Sequence, residues 1–350
     1  MSAAPIGVLV MAYGTASGPE DVERYYTDIR GGRAPSPEHL SELLERYEAI
    51  GNRFPLLEIT TRQAEGLERE LNAGDGWQRF RTYLGMKHSP PFIAEAVDRM
   101  RADGIEHAVG IVMAPHWSAM SVGSYVDRVT GAAGDGSPTF AFVRSYHAHP
   151  RFVAFLAQRV AHALGTLMPA ERARAAVVFS AHSLPVRTLE DGSMRCLRCT
   201  ECETECAYRR GLQETADLVA AELDLPHHTI AWQSAGRTAD PWWGPPLEDV
   251  IDDIAAEGFE AVVVCSAGFV ADHLEILYDL DIEARERAEG AGMRFARTEM
   301  PNADPAFVGV LADVVRERLG RAPDRRCGPS RRRRRGRRRR ARDRAPPAPR

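Results

Sequence analysis

Short apolar runs alternate with amphipathic stretches along almost the whole chain, and that alternation limits its possible folds more than any other feature. IGVLVMAYG (6–14), RFRTYLGM (79–86), HAVGIVMAP (107–115) and TFAFVRSY (139–146) read as four buried strands. Between and after them come helical patterns: PEDVERYYTDI, SPEHLSELLERYEAI with Ser36 placed to cap, and PPFIAEAVDRMRADG, which opens with Pro and closes with Gly. The helix PRFVAFLAQRVAHALG (150–165) leads into a second set, with strands at AAVVFSAHS, HTIAWQS, AVVVCSAGF and RFARTEM. Continuous apolar strands joined by helices predict parallel sheets covered on both faces. Two sets of about four such strands predict an α/β chain of two doubly wound halves with a cleft between them.

The chain has 350 residues, room for two domains, which we place at 1–150 and 151–320. No run of about 18 apolar residues occurs, so no membrane span is expected. The N-terminus lacks the basic region of a secretory signal, and a cytoplasmic location is expected. The net charge of −4 hides an asymmetry. The last 30 residues hold 15 Arg and two Asp, which leaves 30 basic and 47 acidic side chains in the first 320, a net of −17. The tail 321–350 has no apolar periodicity and is expected to be disordered. Its charge suits an arm that contacts nucleic acid or an anionic surface, but the acidic body argues against nucleic acid as the main partner.

Active residues of doubly wound folds gather past the carboxyl ends of strands. Tyr13, Gly14 and Thr15 lie there, as do His116, Ser121 and Tyr125, then His182, then His273 and Glu275. Glu275, Asp279 and Glu283 are spaced by four, so a helix would carry them as one carboxylate stripe, with no Lys or Arg between them to relieve it. Such a row is either a solvent-facing helix side or a set of hard oxygen ligands for a divalent cation. His182 beside a carboxylate would make an imidazole-plus-oxygen site, for Fe²⁺ or for protons. The residues alone choose no substrate.

Four of the six cysteines crowd into CLRCTECETEC (196–206): Cys196, Cys199, Cys202 and Cys206. In a reducing compartment such clusters bind metal more often than they form disulfides. The spacing C-x2-C-x2-C-x3-C is that of the bacterial ferredoxin run, with Ala207 where a proline usually follows, although four thiolates also suit Zn²⁺. Cys265 reads as a core thiol and Cys327 as incidental.

VMAYGT (10–15), YYTDIRGGRAP (25–35), LLERYEAIG (43–51), SAHSLP (180–185), WQSAGRTADPWWGP (232–245), GFVADHLEILYDLD (268–281) and EMPNADPAF (299–307) together resemble the ferrochelatase family, in order and over nearly all of residues 5–320. The resemblance implies two Rossmann-like domains with a porphyrin cleft between them, and insertion of Fe²⁺, the metal substrate, into the porphyrin. It assigns the metal and proton work to His182 and Glu275. Asp279 and Glu283 match outer carboxylates, a second cation site that would take Mg²⁺ or an entry path. Tyr13, Arg30, Arg46, Tyr47 and Tyr125 match porphyrin contacts, with Arg30 and Arg46 suited to propionates.

Tyr13, MKHSPPFIAEAV and MAPHWSAMSVGSY are similar to the branch found in Gram-positive bacteria, which implies coproporphyrin III as substrate. Protoporphyrin IX, or a porphyrin- or haem-binding sensor without insertion activity, are the alternatives. The resemblance also implies a 2Fe–2S cluster on Cys196, Cys199, Cys202 and Cys206, ahead of 4Fe–4S or Zn. The cysteine insert spans about residues 190–208 of the second domain, and the last helix is expected to pack on the first. Enzymes before and after it in haem synthesis would be its protein partners.

Overall fold

The structure, a computed structural model, describes residues 4–74, 78–190, 192–199, 206–236 and 238–320. The Arg-rich tail and Cys202 lie outside these residues.

The first half runs β1 (Ile6–Ala12), α1 (Val22–Ile29), α2 (Pro37–Ala49), α3 (Leu56–Asn72), β2 (Phe80–Met86), α4 (Ile93–Ala102), β3 (His107–Val112), α5 (Val122–Ala133) and β4 (Thr139–Val143). Its four strands are all parallel, in the order β2-β1-β3-β4. Val8, Leu9, Val10 and Met11 of β1 are fully buried, as expected of a central strand covered on both faces. The second half runs α6 (Pro150–Gly165), α7 (Pro169–Ala173), β5 (Ala175–His182), β6 (Val186–Thr188), β7 (Met194–Cys196), α8 (Ala207–Leu223), β8 (His228–Gln233), α9 (Leu247–Ala256), β9 (Ala261–Cys265), α10 (Arg285–Gly290), β10 (Arg294–Arg297) and α11 (Pro305–Gly320). Here the parallel order is β10-β9-β5-β8. The last helix, α11, turns back to pack on α3, β3 and β4 as well as on α6.

All eight strands expected from the apolar runs form. Ser36 caps α2, accepting from His39 N at 3.3 Å. Other details differ from the sequence reading. Helix α4 begins at Ile93 rather than at the prolines, and its start is closed by the Glu95 carboxylate accepting from Phe92 N at 2.8 Å. The antiparallel hairpin β6–β7 was not expected, because three-residue strands are too short to carry a period. Ile276–Ala284, after β9, is π-helical rather than α-helical, so the expected stripe does not keep i, i+4 geometry.

Candidate functional site

The carboxyl ends of both sheets bring the candidate residues together. His182 is the last residue of β5, in register with Gln233 of β8. Gln233 is buried, and its Oε1 accepts from Ser180 Oγ at 2.8 Å and from Ser266 Oγ at 3.1 Å, so one amide pins β5, β8 and the loop after β9. That loop delivers Glu275 to the start of the π-helical segment. The result is a close pair, His182 Nε2 to Glu275 Oε1 at 3.6 Å. A second histidine shares the carboxylate: His273 Nε2 lies 3.4 Å from Glu275 Oε2, while its Nδ1 donates to Ala271 O at 2.9 Å. His182 Nδ1 donates to Ser183 O, which leaves Nε2 as the functional nitrogen facing the carboxylate.

The electrostatics follow from this sharing. Burial works against a charged His182, but the Glu275 carboxylate outweighs it and raises the imidazole to about 9. Burial likewise opposes ionisation of Glu275, yet His182 and His273 hold it well below the usual carboxylate range. The site is a carboxylate shared by two histidine rings, and the same carboxylate raises His273 as well, against its burial. The rings of Phe269 and Trp242 flank His182 at 6.3 and 6.4 Å and restrict its water.

The outer carboxylates are less alone than their sequence suggests. Arg46, from α2, meets Asp279 Oδ1 at 2.5 Å and Glu283 Oε2 at 3.5 Å, and its guanidinium lies 4.3 Å above the Tyr278 ring. Ser234 Oγ also donates to Asp279. Arg46 thus supplies the relief missing from the local sequence, and it faces carboxylates of its own chain rather than standing free for a propionate. Even so, burial pushes Asp279 up to about 7, against the pull of Arg46 and with the help of Glu275. Among the described residues no three His, Cys, Asp or Glu side chains are arranged to hold a metal ion.

The facing wall comes from the first sheet. Tyr13, just past β1, is 42 % exposed. It packs on His88 at 4.6 Å between ring centroids. His88 Nδ1 donates to Asp28 Oδ1 at 2.6 Å, but burial outweighs that carboxylate and lowers His88 to about 4, so it is neutral. Lys87 Nζ donates to Ser124 Oγ at 2.8 Å and lies over the rings of Tyr13 and Tyr125 at 5.7 and 5.2 Å. Burial, then Arg128 and Arg198, lower Lys87 to about 8.

Tyr125 is buried, and so is Tyr47, which stacks on Phe54 at 4.4 Å and is pushed up to about 12 by burial. Arg30 lies 5.7 Å over Tyr26, and its buried Nε has no hydrogen-bond partner. The sequence reading names His273 without a role and passes over Lys87, His88 and Ser234. All four stand just past strand ends, and that position was the available signal.

Three cysteines of the insert are described, and all are buried. Cys196 ends β7 and Cys206 precedes α8, and their Sγ atoms are 3.0 Å apart, well beyond a disulfide bond. The Cys196 thiol, together with the N–H groups at the start of α8, holds Cys206 well below the ordinary thiol range. Trp243 Nε1 donates to Cys196 Sγ at 3.5 Å. Cys196 and Cys206 thus bring two buried soft donors together, and among the described residues no third donor joins them in a group that could hold a metal.

Comparison with known proteins agrees with this geometry. Residues 5–319 match the Ferrochelatase family model. The chain is 46% identical to the coproporphyrin III ferrochelatase of Anoxybacillus flavithermus over 321 residues, 91% of this chain and 98% of the relative. It is 43% identical to the coproporphyrin III ferrochelatase of Bacillus subtilis over 323 residues, 92% of this chain and 100% of the relative. Among solved structures it is similar in fold to SirB from Bacillus subtilis with Fe³⁺, at 10% identity and a TM-score of 0.53, covering 91% of this chain and 99% of that one. The cobalt complex of the sirohydrochlorin chelatase SirB from Bacillus subtilis subspecies spizizenii gives a TM-score of 0.51 at 9% identity, covering 90% and 96%.

Proposed function

The chain belongs to the ferrochelatase family, and from that premise we propose that it inserts Fe²⁺ into coproporphyrin III, with release of two protons, using His182 and Glu275. The observation that carries the reading is the 3.6 Å pair of His182 Nε2 and Glu275 Oε1 past the carboxyl ends of adjacent strands. Insertion requires two pyrrole N–H protons to leave while the metal sheds water. A neutral imidazole and a carboxylate each accept a proton or ligate the metal.

The substrate-free charges suggest an order of events. Glu275 holds a proton on His182; an arriving cation compensates the carboxylate, and His182, without the charge that kept it protonated, releases that proton to solvent. Nε2 is left with a free lone pair at the moment a pyrrole proton needs an acceptor. Asp279, raised to about 7, can take a proton and pass it outward near neutral pH. Tyr13, Lys87 and Tyr125 form the facing wall. If the two walls favour a bent macrocycle, its nitrogen lone pairs turn out of the ring plane toward the metal. The unpartnered Nε of Arg30 and the half-buried Lys87 suit propionate carboxylates. Coproporphyrin III has four of these and protoporphyrin IX has two.

The names of relatives at 43% and 46% identity support the first substrate. In an anaerobic assay following the porphyrin spectrum, coproporphyrin III is expected to be metalated faster than protoporphyrin IX. The reverse preference overturns the substrate assignment, and no insertion into either overturns the activity.

The thiols have a separate role in this reading. Cys196, Cys199 and Cys206, with Cys202 outside the described residues, would hold a 2Fe–2S cluster. Bound there, it would supply a cross-brace between β7 and α8, since insertion transfers no electrons. Anaerobically purified protein is expected to absorb in the visible and to contain iron and sulfide in equal amounts. Colourless protein with one zinc per chain would assign the site to zinc. No helix among the described residues is long and apolar enough to cross a membrane.

A further inference from the structure

His182 is held from behind by two residues that are fastened to the thiols. Tyr208 stands two positions after Cys206, in the first turn of α8, and its hydroxyl donates to the His182 carbonyl at 2.9 Å. That carbonyl is at the very end of β5, where the parallel ladder finishes; beyond it only Ser183 N, donating to Gln233 O at 2.8 Å, continues the pairing. The Tyr208 ring cannot drift. It is buried, edge-on to His116 at 6.3 Å and tilted against Trp232 at 5.4 Å.

The second fastening is Trp243. Its backbone N donates to Leu184 O at 3.1 Å and its carbonyl accepts from Ser183 Oγ at 2.8 Å, while its indole reaches Cys196 Sγ. Ser183 O is in turn the acceptor for His182 Nδ1. The His182 carbonyl is therefore tied to the helix that Cys206 begins, and the peptide that fixes its ring nitrogen is tied to Cys196. The two sulfurs are 3.0 Å apart.

We propose that Tyr208 and Trp243 are positioning residues for metal insertion, which fix the aim of His182 Nε2 and couple it to the Cys196–Cys206 pair. The proposal rests on the assignment of His182 in the proposed function. An acceptor must be held within about half an ångström and 10–20° of its working geometry. The two bonds behind His182 set both the direction of its backbone and the tautomer of its ring.

Tyr208→Phe keeps the buried ring and removes only the donor. The expected result is a fall in kcat of about tenfold with KM for coproporphyrin III and the melting temperature nearly unchanged. A readout that a purely structural role would leave still is the ¹⁵N imidazole spectrum of histidine-labelled protein. The His182 signals, identified by their loss in His182→Ala, are expected to shift and broaden, and those of His88 to stay. Trp243→Phe makes the same test from the Cys196 side should Tyr208→Phe fail to fold. Wild-type kcat with unmoved His182 signals in the folded variant overturns the proposal. His182→Ala run alongside separates the two failures. If it abolishes insertion while the positioning variants are silent, only the coupling is wrong; if it inserts iron at the wild-type rate, the parent assignment fails and this one falls with it.

Discussion

His182→Ala is expected to lower kcat for iron insertion by about 10³-fold, and Glu275→Gln by about 10²-fold, while both leave porphyrin affinity within a few-fold of wild type. The asymmetry follows from the geometry. Removing the imidazole deletes the nitrogen proposed both to ligate the metal and to accept a proton. Glutamine keeps the size and one oxygen of Glu275 and loses only the charge.

That charge has a second effect with a definite sign. In the wild type the carboxylate overcomes burial and raises His182 to about 9. Without it burial is opposed only by the Ser183 carbonyl and Asp279, so the His182 pKa in Glu275→Gln falls toward its ordinary value of about 6.5. The imidazole of the variant should thus be neutral at pH 7.5, where that of the wild type is protonated. A ¹⁵N titration of His182 in both proteins measures this. Stability should move little, because about a third of each side chain is exposed (32% and 31%) and solvent screens the pair. Fluorescence quenching reports porphyrin binding and the absorbance assay reports insertion. Folded His182→Ala that inserts Fe²⁺ at the wild-type rate would falsify the catalytic assignment.

The sequence carried the strands and the strand ends for one physical reason. Parallel strands buried on both faces need continuous apolar runs, and those runs stop where a side chain such as His182 leaves the sheet. Contacts between distant elements were not legible. Arg46 and Asp279 are 233 residues apart, and no local pattern announces that one relieves the other. The carboxylate stripe looked self-repelling for that reason. Its π-helical turn was also hidden, because the segment runs among partners from α1, α2 and the loops beside them, including Tyr25, Tyr47 and Ile50, which pack with Leu277. Lys87 and His88 resemble ordinary polar residues in sequence. Their partners, Ser124 of α5 and Asp28 of α1, lie 37 and 60 residues away in the chain and meet them only in the folded protein.

Gly268→Ala is the substitution outside the catalytic pair with the largest expected effect. A Cβ at Gly268 would lie 2.5 Å from Ala181 Cβ and 2.8 Å from Ala181 Cα, closer than packed carbons come. The neighbour has nowhere to go. Ala181 is fully buried in β5, which is hydrogen-bonded on both sides by β8 and β9. Gly268 N also donates to Ser180 O at 3.0 Å, so the loop cannot withdraw without breaking that bond. The strain must therefore move the loop that ends at Glu275, away from the strand that ends at His182. A cost of about 1–3 kcal/mol in stability is expected, the usual range for an overpacked core. Insertion should fall by more than about tenfold, because His182 and Glu275, the proposed reacting groups, are displaced relative to each other. Adding Ala181→Gly removes the Cβ–Cβ collision but not the approach to Cα, so the double variant should recover only part of both losses. Urea midpoints and insertion rates of the three variants decide it. A Gly268→Ala protein with wild-type stability and rate would mean that this close approach does not set the spacing of His182 and Glu275.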